Sequence, residues 1–145
     1  MDLIPENIGP PDPPKLYSPK QIVGAAFLGT PIAGGIVMAE NFRALGNDAR
    51  AKATIQVSIA LTVTVFVLAF YLPERTPTSL LPAAYCGLFL WYANKYQLKP
   101  FERHMAAGGP QQSNWRVFGI GVGCLVGVLV VLVVLIVMFP NWFPE

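Results

Sequence analysis

Charged side chains are scarce in this chain. Only 12% of the residues are Asp, Glu, Lys or Arg, about half the fraction found in soluble domains, whereas 54% are hydrophobic. The longest stretch without charge covers residues 117–139, and none of its 23 residues is strongly polar. That length lets a helix cross roughly 30 Å of hydrocarbon. The composition therefore excludes an ordinary soluble domain and predicts an integral membrane protein.

Side chains that carry most protein chemistry are equally sparse. There is one histidine, His104, and both cysteines, Cys86 and Cys124, lie within apolar segments. With Glu102 as the nearest acid to His104, a metal site would lack ligands. The sequence has no nucleophile constellation, no phosphate-binding loop and no basic patch interleaved with aromatic residues. We therefore expect no metal, no cofactor and no nucleic-acid partner, and the lipid bilayer as the surroundings of the chain.

The N-terminal segment has no apolar core of the kind found in signal peptides. Its first 20 residues contain six prolines, which favour extended polyproline II structure and cannot nucleate a helix. Residues 1–20 are therefore predicted to form a proline-rich arm, either a disordered tether or a docking segment. Residues 21–145 are predicted to form a single transmembrane helical domain.

Apolar stretches recur along the chain, separated by loops rich in glycine, proline and charge. They cover residues 21–39, 54–72, 78–96 and 117–139. The pattern predicts an all-α fold, an integral membrane bundle of four transmembrane helices. Seven of the ten Lys and Arg residues lie in or beside loops 40–53 and 97–116, so these loops are predicted to be cytoplasmic. Four crossings then place both termini outside.

The first apolar stretch is interrupted. It contains four glycines and a central Pro31, whose ring removes a helix hydrogen bond and clashes with the carbonyl of Phe27. A kinked helix that crosses the membrane is the commoner solution and is the prediction for this stretch. The alternative is a re-entrant path. It would place Lys15 and Lys20 on the cytoplasmic side and raise the asymmetry of basic residues to nine against one, which the charge rule prefers.

Small residues are regularly spaced in the last stretch. Gly119, Gly123 and Gly127 recur at intervals of four and form a groove that another helix backbone can approach closely. The groove has two interpretations. It serves self-association or a larger partner, or it packs internally against similarly small residues of the first stretch, such as Gly29 and Gly34. Internal packing is the interpretation we favour, because every polytopic bundle needs such contacts.

A candidate cluster of polar residues flanks the first and last stretches. Its members are Glu40, Asn41, Arg43, His104 and Arg116. Glu40 can pair with Arg43, Arg116 or His104, and such a group could relay protons or bind an anionic headgroup. The simpler interpretation, which we favour, is a solvated network of ion pairs at the membrane surface.

Four short motifs relate the chain to other proteins. They are FLGTP (27–31), ENFRALG (40–46), HMAAGG (104–109) and SNWR (113–116). In these motifs the chain resembles small multi-span bacterial inner-membrane proteins of uncharacterised function. The resemblance implies a location in the bacterial inner membrane, and it assigns no role to any residue.

Three functions from different classes are compatible with these features. The first is a non-catalytic accessory or assembly subunit, acting through helix–helix contacts with a larger membrane complex or with itself, and it requires nothing that the sequence lacks. The alternative is a small oligomeric channel or transporter, supported by the interrupted first stretch. The third is a membrane enzyme, for which Glu40 and His104 are the only available acid–base pair.

Overall fold

The regular secondary structure of this chain is helical. The computed structural model describes residues 11–140, so the predicted arm is described only from residue 11 onward. Its helices are α1 (Pro19–Ala44), α2 (Asp48–Tyr71), α3 (Leu80–Tyr96), α4 (Leu98–Ala106) and α5 (Asn114–Met138). Within residues 11–140 the only β-type pairing is an isolated bridge between Leu16 and Gln111. The predicted all-α class is confirmed for these residues.

Helix α1 reverses direction near its middle. Gly29 and Thr30 have non-helical backbone angles, and Thr30 has a φ of 70°, which residues other than glycine rarely adopt. The backbone nitrogen of Tyr17, just before α1, lies 2.8 Å from Oδ1 of Asn41, near the end of α1. An uninterrupted helix would separate two residues 24 positions apart by about 36 Å. The chain therefore turns back at Gly29 to Pro31 and forms a helical hairpin.

The two halves of the hairpin are α1a (residues 19–28) and α1b (31–44), and they pack through small side chains. A Cβ atom added to Gly34 would lie 2.7 Å from Cβ of Ala26, eight residues earlier in the chain. In a straight helix these positions would be about 12 Å apart. Glycine and alanine allow this close approach of two backbones, so the small residues of the first stretch have a structural use.

Three helices, α1, α2 and α5, are long and apolar enough to cross a membrane. In α1, however, that length is divided between two antiparallel halves of about 15 Å and about 21 Å, and neither reaches across roughly 30 Å of hydrocarbon. Helix α3, with 17 residues, is shorter than α2 and α5. The predicted bundle of four transmembrane helices is therefore not confirmed, because its first member folds back on itself.

Helix α1 forms the centre of the molecule. It packs against α2, α3 and α5. In its most apolar window 61% of the residues are buried, compared with 11% in α2 and 6% in α5. Along α2 the buried residues recur about once per turn, at Ala51, Thr54, Ser58 and Thr62. The hairpin is thus the core, and the outer faces of the surrounding helices are exposed and apolar.

Both ends of the hairpin lie at the same end of the molecule as the start of α5 and the end of α3. Gln21 donates to Asn114 over 2.6 Å, and Asn41 donates to Gln97 over 2.9 Å. We call this end of the molecule the basic end. Nine of the ten Lys and Arg residues lie there, and the tenth, Arg75, follows the opposite end of α2. The nine are Lys15, Lys20, Arg43, Arg50, Lys52, Lys95, Lys99, Arg103 and Arg116.

Aromatic side chains accompany these charges. The ammonium group of Lys95 lies 4.8 Å from the ring centroid of Trp91, and the guanidinium of Arg50 lies 5.2 Å from that of Tyr96. Trp115, in the first turn of α5, is exposed. Trp and Tyr interleaved with cations are typical of the membrane–water interface. The basic end therefore has the chemistry of a membrane surface.

Candidate functional site

Two of the predicted polar residues, Glu40 and Arg116, meet around Tyr17 at the basic end. The hydroxyl of Tyr17 donates to Oε2 of Glu40 over 2.6 Å and accepts from Nε of Arg116 over 2.9 Å. Nη2 of Arg116 also forms an ion pair with Oε1 of Glu40 at 3.4 Å. We call these three residues the clasp, because they join the start of α1a, the end of α1b and the start of α5.

The surroundings of Tyr17 favour its neutral form further. Burial, and then the hydrogen bond to Glu40, raise the pKa of the Tyr17 hydroxyl to about 12. The phenol therefore keeps its proton at physiological pH and acts as a donor to the carboxylate. The Arg116 side chain is 56% exposed, so its ion pair contributes at most about 1 kcal/mol to stability. A neutral phenol and a weak ion pair are suited to connecting α1a, α1b and α5 structurally.

Asn41 is the centre of a buried amide network beneath the clasp. Its Oδ1 accepts from the Tyr17 backbone N–H, and its Nδ2 donates to the Tyr17 carbonyl and to Oε1 of Gln97, all over 2.8–2.9 Å. Gln97 in turn donates to the carbonyl of Met38 over 3.0 Å. Asn41 and Gln97 are 2% and 1% exposed. Their amides are partnered, as buried polar groups must be, and they connect the hairpin to α3.

Gln21 connects the hairpin to α5. Ser18 and Gln21 form a capping box at the start of α1a, which satisfies backbone donors that the first turn leaves unpaired. The Gln21 amide also donates to the carbonyl of Gln112 over 2.8 Å and to Oδ1 of Asn114 over 2.6 Å. Sequence reasoning missed Tyr17, Gln21 and Gln97, because they bond to residues 24, 93 and 56 positions away in the chain, respectively, which no local sequence pattern reveals.

The remaining members of the predicted cluster lie apart from the clasp. The ring nitrogen Nε2 of His104 lies 3.0 Å from the carbonyl oxygen of Pro110, and the ring packs directly over Gly109. Arg43 is exposed in the last turn of α1. The hydrogen-bond partners of Glu40 are Tyr17 and Arg116, so Glu40 and His104 do not form the bonded acid–base pair that catalysis would require.

The tip of the hairpin packs against the backbone of α5. A Cβ atom added to Gly29 would collide with the carbonyl oxygen of Gly121 and lie 2.7 Å from its Cα. One added to Gly121 would lie 2.9 Å from Cβ of Leu28. Two glycines therefore meet where the first and last helices touch. Gly34 faces Ala26 and lies in contact with Phe89 of α3.

Gly119, Gly123 and Gly127, which we call the glycine ridge, face away from this contact. An added Cβ at any of the three would meet no atom of residues 11–140 within 4 Å. Gly121 lies about 200° around the helix from Gly119 and Gly123, so it uses the opposite face. The internal packing that we favoured for the ridge is not found, because Gly121 supplies the contact with α1 instead.

Thr30 stands at the turn of the hairpin. Its Oγ1 is buried and has no hydrogen-bond partner in the described part of the chain. The turn is level with Gly121, roughly 10 Å along α5 from its first residue. Helix ends leave backbone groups unpaired, so an interrupted helix at this depth places polar groups inside the region that lipid would surround.

Replacing Asn41 with Leu is expected to destabilise the protein strongly. The change leaves the backbone N–H and carbonyl of Tyr17 and the amide oxygen Oε1 of Gln97 buried without these partners, and each orphaned group costs about 1–3 kcal/mol. The measurement is thermal unfolding in detergent. Asn94→Leu, on an exposed position of α3, is the control and should leave the unfolding temperature unchanged. Equal unfolding temperatures for the two variants would show that the network contributes nothing.

Comparisons of the chain with family models, curated proteins and solved structures found no match. The functional argument therefore depends on the geometry of the clasp, the hairpin and the glycine ridge.

Proposed function

We propose that the protein is a non-catalytic subunit of the bacterial inner membrane that associates, through the glycine ridge of α5, with a larger membrane complex or with another copy of itself. The observation that carries this proposal is the open space over Gly119, Gly123 and Gly127. Helices in lipid associate by close backbone packing over such small residues. Gly121 already supplies the internal contact of α5, so the fold leaves the ridge available.

The remainder of α5 supports this interpretation. The buried residues of the helix are Val117 and Gly121, and every position from 122 to 138 is exposed or partly exposed. Val122 and Val126 flank the ridge and are 37% and 53% exposed. Valine has one preferred rotamer in a helix, so packing against it costs little side-chain entropy. A partner helix would meet a rigid, shallow groove.

The orientation that we propose follows from the basic end. With nine basic residues at that end and one at the other, the basic end and its loops 40–53 and 97–116 face the cytoplasm. Helix α1 then re-enters from the cytoplasmic side, and α2, α3 and α5 cross the membrane. The N-terminus is cytoplasmic and the C-terminus is external, which differs from the four-span expectation of two external termini.

A small channel or transporter is the second candidate, and the re-entrant hairpin favours it. An interrupted helix at the depth of Gly121 offers backbone dipoles and the Thr30 hydroxyl to an ion or a polar solute. The hydroxyl groups of α2 are less available to a solute. Ser58 donates to the carbonyl of Thr54 over 2.7 Å and Thr62 to that of Ser58 over 2.8 Å, so these donors are used within their own helix. For this reason the channel is the second candidate and the assembly subunit is the first.

Gly123→Leu is expected to weaken association at least about tenfold, or about 1.4 kcal/mol, because leucine fills the groove. The measurement is native mass spectrometry of complexes extracted in mild detergent. Gly87→Leu, at a position of α3 where an added Cβ also meets nothing within 4 Å, is the control and should behave like the parent protein.

The composition of the extracted complex distinguishes the candidates. A stoichiometric larger partner supports association with a membrane complex. An oligomer of this chain alone supports self-association, which is also the arrangement that the channel requires. If Gly123→Leu and Gly87→Leu both leave association unchanged, the ridge is not the contact surface and the proposal fails.

A further inference from the structure

A cleft of about 680 Å³ lies between α1a and α5 at the basic end. Its lining on α1a includes Lys20, Gly24 and Leu28, which are four residues apart and therefore share one face of the helix. Trp115 and Phe118 of α5 line the opposite wall. From the basic end inward, the cleft changes from charged to apolar over about 12 Å.

The polar groups of the cleft differ in whether they already have hydrogen-bond partners within the protein. Gln21 and Asn114 are bonded to each other at 2.6 Å. Lys20 is exposed and forms no hydrogen bond or ion pair with residues 11–140, so its ammonium group is available to a ligand. Trp115 is 80% exposed beside it, a position typical of an indole at headgroup level.

The apolar part of the cleft is open because of a glycine. An added Cβ at Gly24 would meet nothing within 4 Å, so the wall of α1a is recessed there by the absence of a side chain. Leu28 and Phe118, 38% and 48% exposed, lie deeper along the two helices. A hydrocarbon chain can follow this path from Lys20 toward the turn of the hairpin.

We propose that this cleft binds one anionic phospholipid of the surrounding bilayer, with the headgroup at Lys20 and Trp115 and an acyl chain over Gly24 against Phe118. The charge of the basic end favours an anionic headgroup over a zwitterionic one, because nine Lys and Arg residues lie there with four described acids, Asp12, Glu40, Asp48 and Glu102. Basic clefts between membrane helices are suited to such headgroups. The glycine ridge does not line this cleft, so the two proposals can fail separately.

The test is native mass spectrometry of the full chain with phosphatidylglycerol or phosphatidylcholine added at equal concentration. The parent protein is expected to retain one phosphatidylglycerol per chain, in roughly tenfold preference to phosphatidylcholine. Gly24→Leu, which fills the acyl path, and Lys20→Gln, which removes the charge, should each abolish most of that preference. Gly87→Leu and Lys52→Gln are the matched controls and should retain it, since neither residue lines the cleft.

Three results would overturn the proposal: equal retention of the two lipids by the parent, unchanged retention in both cleft variants, or a lipid-free dimer whose abundance falls in Gly24→Leu. The last result would assign the cleft to a second copy. If Gly24→Leu does not fold, Lys20→Gln decides the question alone, because its side chain is exposed. Oligomer size in the cleft variants should equal that of the parent, whatever the outcome for the glycine ridge.

Discussion

Reporters fused to the two termini are expected to lie on opposite sides of the membrane. A fluorescent protein at the N-terminus should fold and fluoresce in the cytoplasm, and alkaline phosphatase at the C-terminus should be active outside. The reason is the reversal of α1, which returns the chain to its starting side before α2 begins at Asp48. The effect is all or none, because the three crossings that we propose would separate the termini and four would not.

Internal fusions provide the control for this experiment. A reporter inserted at residues 45–47, between α1 and α2, should lie on the same side as the N-terminal reporter, and one at residues 73–78 on the opposite side. An N-terminal reporter found outside, with the 45–47 reporter inside, would mean that α1 crosses the membrane. That result would restore the four-span topology and contradict the hairpin.

Gly29→Val is expected to disrupt the fold. Its side chain would collide with the backbone of Gly121, which cannot move aside as the end of a flexible side chain can. Overpacking costs about 1–3 kcal/mol and occasionally more, and a backbone contact puts this site at the upper end. Gly121→Val should act similarly from the other side, where it meets Leu28. Thermal unfolding in detergent is the measurement.

Gly123→Val is the matched control, on the same helix and two residues from Gly121. An added Cβ at Gly123 meets nothing within 4 Å, so the unfolding temperature of the isolated chain should not change. The two faces of α5 thus have opposite expected phenotypes, loss of folding on one and loss of association on the other. A Gly123 variant less stable than the Gly29 variant would show that the hairpin does not pack on α5 in this way.

Helices α2, α3 and α5 were the most predictable part of the fold, and α3, expected at residues 78–96, is Leu80–Tyr96. Residues 54–72 and 117–139 were expected as helices, and the structure has Asp48–Tyr71 and Asn114–Met138. Lipid offers no hydrogen bonds to the backbone, so a long apolar run in lipid must form a helix, which satisfies its own backbone groups. The actual starts lie earlier because polar caps, Asn47 and Ser113, accept from backbone N–H groups ahead of the apolar residues.

The direction of the first stretch could not be derived from local pattern. Pro31 and its neighbouring glycines indicate a break, but a break is compatible with a kink and with a reversal. What decides between them is the pairing of Tyr17 with Asn41 and of Asn41 with Gln97, across 24 and 56 residues. The one sequence signal for the reversal was the distribution of charge, through Lys15 and Lys20.

The candidate site was predictable only in part. Glu40 and Arg116 were named as possible partners, and the structure places them 3.4 Å apart. His104 was named with them, but it lies in the last turn of α4, with its Nε2 3.0 Å from the Pro110 carbonyl oxygen. Helix α4 itself, Leu98–Ala106, falls in what was expected to be a loop, because a helix of nine residues, three of them charged, gives no membrane-helix signal.

The contact between Gly29 and Gly121 also has a consequence for biogenesis. The hairpin is synthesised first, yet one of its faces is covered only by the last helix, whose Asn114 is 93 residues downstream of Gln21. The ribosome must therefore make nearly the whole chain before that face is closed. Chains truncated before α5 would leave that face of the hairpin, including Gly29, without its covering helix.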